Sequence, residues 1–440
     1  MSKPLVVIVG RPNVGKSTLF NRIVGSQAAI IEDIPGITRD RNYMEAAWQG
    51  RPFIVVDTGG FYPEPLEDIF REVKEQALFA IDEANVIIHL MDGKEGLNHD
   101  DVDIAKILRE SGKKVLWVVN KIDAPTREER LYDFYRLGID GILPVSAKTG
   151  YEFDELMDRL VSLFPAALKE ETETDYPKVA VVGRPNVGKS TLVNTLLGKK
   201  RVIVSPLPGT TRDSIDTLCT YYRKKYLFID TAGLRKRGKI GYSVERYAMV
   251  RAIRSIERSD VALVVLDASS GIVEQDKRIA GIVKSYGKGA IFLINKWDLV
   301  EEPETVYKEY LDEFKKQLWF FSHAPFLTTS GLERRRVTKV FPLVDGVVSE
   351  RKKRIPTPEL NNFLKDYLAH APPLPLFRGK QVKLTYMTQA GTEPPSFVVF
   401  TKRTEGVRDS LLRHLEGRLR EHFSFRGTPI RIYVRHEEEK

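Results

Sequence analysis

Ten residues occur twice without change: Gly10-Arg11-Pro12-Asn13-Val14-Gly15-Lys16-Ser17-Thr18-Leu19 returns as Gly183-Arg184-Pro185-Asn186-Val187-Gly188-Lys189-Ser190-Thr191-Leu192. Each copy fits G-x-x-x-x-G-K-[ST] and follows an apolar run, 5–9 or 179–182, the strand-then-loop setting of a phosphate-binding loop. Glycines let the backbone curl so that its N–H groups face phosphate oxygens, and the helix that follows adds its positive end. Lys16 and Lys189 are then expected on the β- and γ-phosphates, with Ser17 and Ser190 on Mg²⁺. A lone match is compatible with a chance glycine turn. Two identical matches behind strands make that a poor explanation.

The repetition continues at a fixed spacing. Pro35-Gly36-Ile37-Thr38-Arg39-Asp40 returns 173 residues later as Pro208-Gly209-Thr210-Thr211-Arg212-Asp213, the same offset as the loops. Thr38 and Thr211 are placed to close a Mg²⁺ shell while a γ-phosphate is present and to release it afterwards. At the same offset, apolar runs deliver Asp57-Thr58-Gly59-Gly60 and Asp230-Thr231-Ala232-Gly233. A carboxylate at a strand's end holds Mg²⁺ through water, and the final glycine brings a backbone N–H to the γ-phosphate. The runs 86–92 and 261–267 read as strands buried on both faces, as in a parallel sheet, with His89 simply a strand residue.

Two further strands end in Asn120-Lys121-Ile122-Asp123 and Asn295-Lys296-Trp297-Asp298. Asp123 and Asp298 have the chemistry to accept two hydrogen bonds from guanine N1–H and its amino group, while the lysine stems lie on the base. Adenine lacks that donor pair and would leave a carboxylate unsatisfied, at a cost of about several kcal/mol. GTP and GDP are therefore expected, and ATP is not. Ser146-Ala147-Lys148 is expected to back the base in the first copy, and the less similar stretch 326–331, with Thr328 and Thr329, in the second.

A chain of 440 residues leaves room for about three domains. Residues 165–177, acidic and bounded by prolines, read as a flexible linker between a first domain (1–164) and a second (178–351). Residues 352–440 have a different pattern, helix-strand-strand-helix-strand, which predicts a small α+β domain. Pro342 predicts either a kink or a late start for the helix expected over 337–348. Net charge is −7 over 1–170, +9 over 171–351 and +7 over 352–440, so the basic surface lies in the later parts, as expected where a protein meets nucleic acid. One cysteine excludes an internal disulfide and a Cys-rich zinc site, and the seven histidines show no ligand spacing. No apolar run approaches the roughly 18 residues of a membrane span and no signal peptide opens the chain, so a cytoplasmic protein is expected.

Two complete guanine-nucleotide motif sets, the acidic linker and the basic α+β tail resemble the Der (EngA) family of bacterial double-GTPase ribosome assembly factors. The resemblance covers nearly the whole chain. It implies two tandem G domains with doubly wound, mostly parallel sheets, then a KH-like domain, although no G-x-x-G clamp is found. It also implies hydrolysis of GTP and a role in large-subunit maturation. Nucleotide state would then control binding to ribosomal RNA and proteins, with no membrane or DNA partner and a monomeric chain. Phe61 and Leu234 follow the switch glycines where Ras-like enzymes carry a water-orienting glutamine. In similar GTPases the loop asparagine, here Asn13 or Asn186, helps hold K⁺; a role in loop shape alone is the alternative. The basic run 234–239 is expected to contact RNA or the last domain in one nucleotide state. Rival readings are a GTPase tied to tRNA modification and a non-catalytic GTP-dependent scaffold.

Overall fold

The structure is a computed structural model that describes residues 3–25, 43–57, 84–164, 176–198, 202–206, 216–231, 244–370, 376–377, 380–402, 404 and 407–436. The chain divides into two compact units, the first built mainly of residues up to Glu173, and the second sheet and the C-terminal part belong to the same unit.

In the first unit, β-branched runs dictate strands and their burial dictates the layering. The unit contains β1 (Leu5–Val9), α1 (Lys16–Gly25), β2 (Tyr43–Trp48), β3 (Arg51–Asp57), β4 (Val86–Asp92), α2 (His99–Glu110), β5 (Lys114–Asn120), β6 (Leu143–Pro144) and α3 (Phe153–Ser162). All seven residues of β4 are buried, the signature of a parallel strand covered on both faces. The described strands run in the order β2-β3-β1-β4-β5-β6, parallel except for β2 against β3. Strand order reverses about β1, so the loop after β1 opens at the carboxyl ends of the strands, where such sheets bind ligands. Leu19, Phe20 and Ile23 of α1 and Leu156, Met157 and Leu160 of α3 close one face. His89 lies wholly inside with its ring edge-on to Trp117, and burial lowers its pKa to about 3, so it is a neutral core residue.

The second unit repeats the plan. It contains β7 (Lys178–Val182), α4 (Lys189–Leu197), β8 (Val202–Pro206), β9 (Thr217–Tyr221), β10 (Lys224–Phe228), α5 (Val244–Arg258), β11 (Val261–Asp267), α6 (Glu274–Ser285), β12 (Gly289–Asn295), α7 (Pro303–Gln317), β13 (Phe326–Thr328) and α8 (Val340–Lys352). The order β13-β12-β11-β7-β10-β9-β8 matches the first sheet, with β9 standing where β2 does and β8 adding one further antiparallel edge strand. Pro342 marks a late helix start: a short turn at Val337–Lys339 precedes α8, and the proline sits in its first turn, where no backbone donor is required.

The last part is α9 (Thr357–His370), a two-residue ladder β14 (Leu376–Phe377) with β15 (Lys380–Gln381), β16 (Leu384–Gly391), β17 (Ser396–Thr401), α10 (Asp409–Phe423) and β18 (Arg431–His436). β16, β17 and β18 form a three-stranded sheet whose inner face packs Met387, Phe397 and Val399 against Leu364, Leu415 and Leu419. This part is seated on the second sheet by backbone bonds, Ala290 N–H to the Gly427 carbonyl (2.7 Å) and Gly427 N–H to the His323 carbonyl (3.1 Å). The carbonyl of the buried Arg351 adds a bond from Glu393 N–H (3.1 Å). Among the described residues, no helix is long and apolar enough to cross a membrane.

Candidate functional site

Each repeated decapeptide forms a loop between a central strand and a helix. Asn13 (φ 63°) and Gly15 (φ 97°), and in the second copy Asn186 (φ 64°) and Gly188 (φ 91°), take the left-handed conformation that curls the backbone. Asparagine tolerates that region and glycine is free to enter it. Gly10 and Gly183 have a different reason: an added Cβ would lie 2.2 Å from the Leu90 carbonyl oxygen or 2.5 Å from that of Val265. The helices begin at Lys16 and Lys189, so Ser17, Thr18, Ser190 and Thr191 occupy their first turns beside unpaired N–H groups.

The guanine-motif asparagines turn out to be braces. Asn120 Nδ2 donates to the Val14 carbonyl (2.7 Å), and its Oδ1 accepts from Ala147 N–H (2.9 Å). Asn295 makes the same pair of bonds, to the Val187 carbonyl (2.8 Å) and from Gly331 N–H (3.0 Å). One side chain thus fixes the phosphate loop to the loop expected behind the base. Lys121 donates to Asn13 carbonyl oxygen (3.0 Å) and pairs with Asp92, while Lys296 pairs with Asp267 at 2.7 Å.

These bonds also set the correspondence between the copies. Val145 and Thr329 both donate to strand carbonyls at 2.8 Å, and Arg22 and Thr195 of equivalent helices donate to the carbonyls of Ala147 (2.6 Å) and Gly331 (2.7 Å). Ser330-Gly331-Leu332 therefore stands where Ser146-Ala147-Lys148 does. The expected pair Thr328 and Thr329 is displaced by two residues, because Thr328 ends β13 and Thr329 matches Val145. In the first copy Ser146 Oγ also donates to Asp123 Oδ1 (2.8 Å), which aims that carboxylate.

At the metal end, Ser17 Oγ donates to Asp57 Oδ2 (2.6 Å), which brings together two hard oxygen donors of the kind Mg²⁺ takes. In the second copy Asp230 (φ 51°) is held through its N–H by Asp216 Oδ1 (3.0 Å), and Asp216 is itself paired with Arg258. Thr231 shares a hydroxyl contact with Thr217. Thr38, Thr58, Gly59, Gly60, Thr211, Ala232, Gly233 and the basic run 234–239 lie outside the described residues.

With this geometry in place, comparison with known proteins is informative. The family described as "50S ribosome-binding GTPase" matches residues 5–121 and again 178–296, and the "KH-domain-like of EngA bacterial GTPase enzymes, C-terminal" matches 354–435. "GTPase Der" of Thermodesulfovibrio yellowstonii is 50% identical over 444 residues, covering 98% of this chain and 99% of the relative. That of Moorella thermoacetica is 47% identical over the full length of both. The chain belongs to the Der family of GTPases. Among solved structures, an Era protein of Aquifex aeolicus bound to GDP·AlF4⁻ is 25% identical, covering 58% of this chain and 89% of its own, with a TM-score of 0.31.

Membership makes the chain a GTP-hydrolysing enzyme with two guanine-nucleotide sites, and the electrostatics of both are unusual. Lys16 Nζ donates to the Gly10 (2.8 Å) and Arg11 (2.7 Å) carbonyls, and Lys189 to that of Arg184 (2.7 Å). Burial lowers both ammonium groups to about 8. Burial disfavours the Asp92 carboxylate too, but the Lys121 bond and the N–H groups of Lys94 and Glu95 outweigh it and hold that carboxyl below its ordinary range.

The sequence reading missed one shared feature of the two sites. Arg11 is turned from the loop onto Asp101 (3.2 Å) and Glu95, and Arg184 onto Asp276 (3.5 Å) and Ser270. Asp101 and Asp276 are wholly buried in the first turns of α2 and α6 and also cap them, accepting the N–H of Asn98 or Val273 (3.2 Å each). The spacing of 90 residues, or 92, between partners hides the pairs from motif reading.

Proposed function

We propose that each loop binds GTP with Mg²⁺, and that the chain is a switch in large-subunit assembly whose nucleotide state governs contact with ribosomal RNA and proteins. In this reading Gly10, Asn13, Val14, Gly15, Lys16, Ser17 and Thr18 wrap the phosphates, as do Gly183, Asn186, Val187, Gly188, Lys189, Ser190 and Thr191. A γ-phosphate would replace the loop carbonyls on Lys16 and Lys189. Ser17 and Asp57, and Ser190 and Asp230, hold Mg²⁺, which supplies positive charge to the phosphate oxygens; Thr38 and Thr211 complete its shell. Asp123 and Asp298 select guanine, backed by Ser146-Ala147-Lys148 and by Ser330-Gly331-Leu332.

The single observation that carries the nucleotide reading is the duplicated asparagine brace, which ties phosphate end to base end in both copies. The left-handed Asn13 and Asn186 have a sufficient role in loop shape, and K⁺ held by their side chains is the added proposal. The family's description as ribosome-binding supports the choice of partner.

The test is sucrose-gradient sedimentation of tagged protein with a non-hydrolysable GTP analogue, with GDP, and with Lys16→Ala or Lys189→Ala. Co-migration with large ribosomal subunits in the GTP-like state alone, lost in one variant, is the expected result. Absence of ribosomal co-migration in every state would leave the GTP chemistry and overturn the assembly role.

A further inference from the structure

Among the described residues, the C-terminal sheet is packed against helices on one of its two faces only. Pairing of β16 with β17 places Tyr386 opposite Phe400 and Thr388 opposite Val398; pairing of β17 with β18 adds Arg435 beside Phe400 and Tyr433 beside Val398. The second face therefore reads, row by row, Tyr386-Phe400-Arg435 and Thr388-Val398-Tyr433. Tyr386 is 42% exposed and Tyr433 44%, large values for aromatic rings on strands. Tyr386 leans on Phe400 with ring centroids 5.7 Å apart, which fixes its orientation.

Charge on this face has one sign. Lys383 and Lys402 are exposed where Tyr386 and Phe400 end the sheet, and Arg435 is exposed along β18. The opposite end is bounded by the second G domain, where Arg431 donates to the Ser285 carbonyl (3.0 Å). Among the described residues of these three strands there is no aspartate or glutamate.

We propose that this open face is a stacking platform for unpaired RNA bases. Aromatic rings on a sheet take base faces without regard to sequence, and flanking lysine and arginine track the phosphates. An aromatic patch alone would satisfy the first requirement; Lys383, Lys402 and Arg435, on or next to strands without acidic residues, satisfy the second. The face is distinct from the G-x-x-G clamp of KH domains, which residues 352–440 lack. The proposal rests on the ribosome reading for its choice of RNA and adds the surface and the binding mode.

The experiment uses the full-length protein and anisotropy of a fluorescein-labelled uridine decamer, with an RNA duplex of equal length as comparison. Tyr386→Ala and Tyr433→Ala are each expected to weaken decamer binding about fivefold to a hundredfold. Duplex binding should change less than twofold, and Tyr386→Phe should bind like the parent. Arg435→Ala should weaken both RNAs and lower the salt slope by about one. Both tyrosines lie outside the core, so unchanged melting temperatures verify that the fold is kept.

Decamer affinities of Tyr386→Ala and Tyr433→Ala within twofold of the parent overturn the platform. Protection of both rings from hydroxyl radicals in the RNA-free chain also overturns it, since protein then covers the face. Unchanged variants that still sediment with ribosomal subunits would sink this surface and spare the ribosome reading. Tyrosine-dependent decamer binding without ribosomal sedimentation would do the reverse.

Discussion

Replacing Asn120 by alanine removes both bonds of the first brace and tests whether the phosphate and base ends of the site are mechanically one. Asn120 is 3% exposed, so the Val14 carbonyl and Ala147 N–H would lose their partner in a buried setting. Each unsatisfied group costs about 1–3 kcal/mol, or about 2–6 kcal/mol together. At 1.4 kcal/mol per factor of ten, the lower bound is about thirtyfold. The brace is already formed without nucleotide, so the loss divides between stability and affinity. We expect a lower melting temperature and at least about tenfold weaker guanine-nucleotide binding at the first site.

A second substitution sharpens the test. A Cβ on Gly15 would lie 2.3 Å from Asn120 Nδ2, at a backbone φ of 97° that already disfavours alanine. Gly15→Ala therefore breaks the same brace from the opposite side. In Gly15→Ala/Asn120→Ala the space left by the amide receives the new methyl, so the double loss should be smaller than the sum of the single losses. Titration with a fluorescent GDP analogue, in chains carrying Lys189→Ala at the other site, measures this cycle. Strict additivity, or Asn120→Ala binding within threefold of its parent, would refute the brace.

Three further outcomes are expected. Lys16 has its pKa lowered by burial from 10.5 to about 8, so between those values the unfolded chain holds the extra proton; stability of the nucleotide-free protein should rise with pH across that window while phosphate affinity falls, as thermal melts and titrations at matched pH would check. Asp123→Asn and Asp298→Asn place an N–H donor where guanine has its amino group, so each should switch its site toward xanthosine nucleotides by on the order of a hundredfold or more, read in competition binding. Hydrolysis should be faster in KCl than in NaCl at equal ionic strength, and equal rates would leave Asn13 and Asn186 a role in loop shape alone.

Much of the fold was legible because the same constraints were written twice. Phosphate loops and switch motifs share one offset, and runs such as 86–92 are apolar at every position, which leaves little choice but a buried parallel strand. The edge strands β2, β8 and β9 were not seen, since YMEAAW, VIVSP and TLCTY show neither a clean alternation nor an apolar run of the length found in the central strands. The displaced base-backing loop has a physical cause too. Residues 299–325 hold α7 and a further helical turn, so motif spacing no longer maps Ser146 onto its partner, and only strand hydrogen bonds restore the register. The Arg11–Asp101 and Arg184–Asp276 pairs were invisible because a contact between a loop and the first turn of a distant helix carries no motif spacing.

Identical loops need not make equal sites. Asp123 is already occupied, accepting Ser146 Oγ at 2.8 Å and the Arg127 guanidinium at 2.7 Å. Asp298 differs, because its Oδ1 is buried and has no hydrogen-bond partner among the described residues. A buried acceptor without a donor costs about 1–3 kcal/mol, and the N–H groups of guanine would remove that cost on binding. At the first site the base must instead share a carboxylate with an exposed arginine, whose own pairing is worth about 0–1 kcal/mol. The second site should therefore hold guanine nucleotides more tightly, although the ten residues around the phosphates are the same. Arg127→Ala frees Oδ2 of the first carboxylate while Oδ1 keeps Ser146, and should narrow the gap only slightly, because the larger part of the difference resides in Asp298. Separate titration of the two sites decides the matter, and equal affinities in the unmodified chain would show that the unpartnered oxygen at Asp298 does not govern base binding.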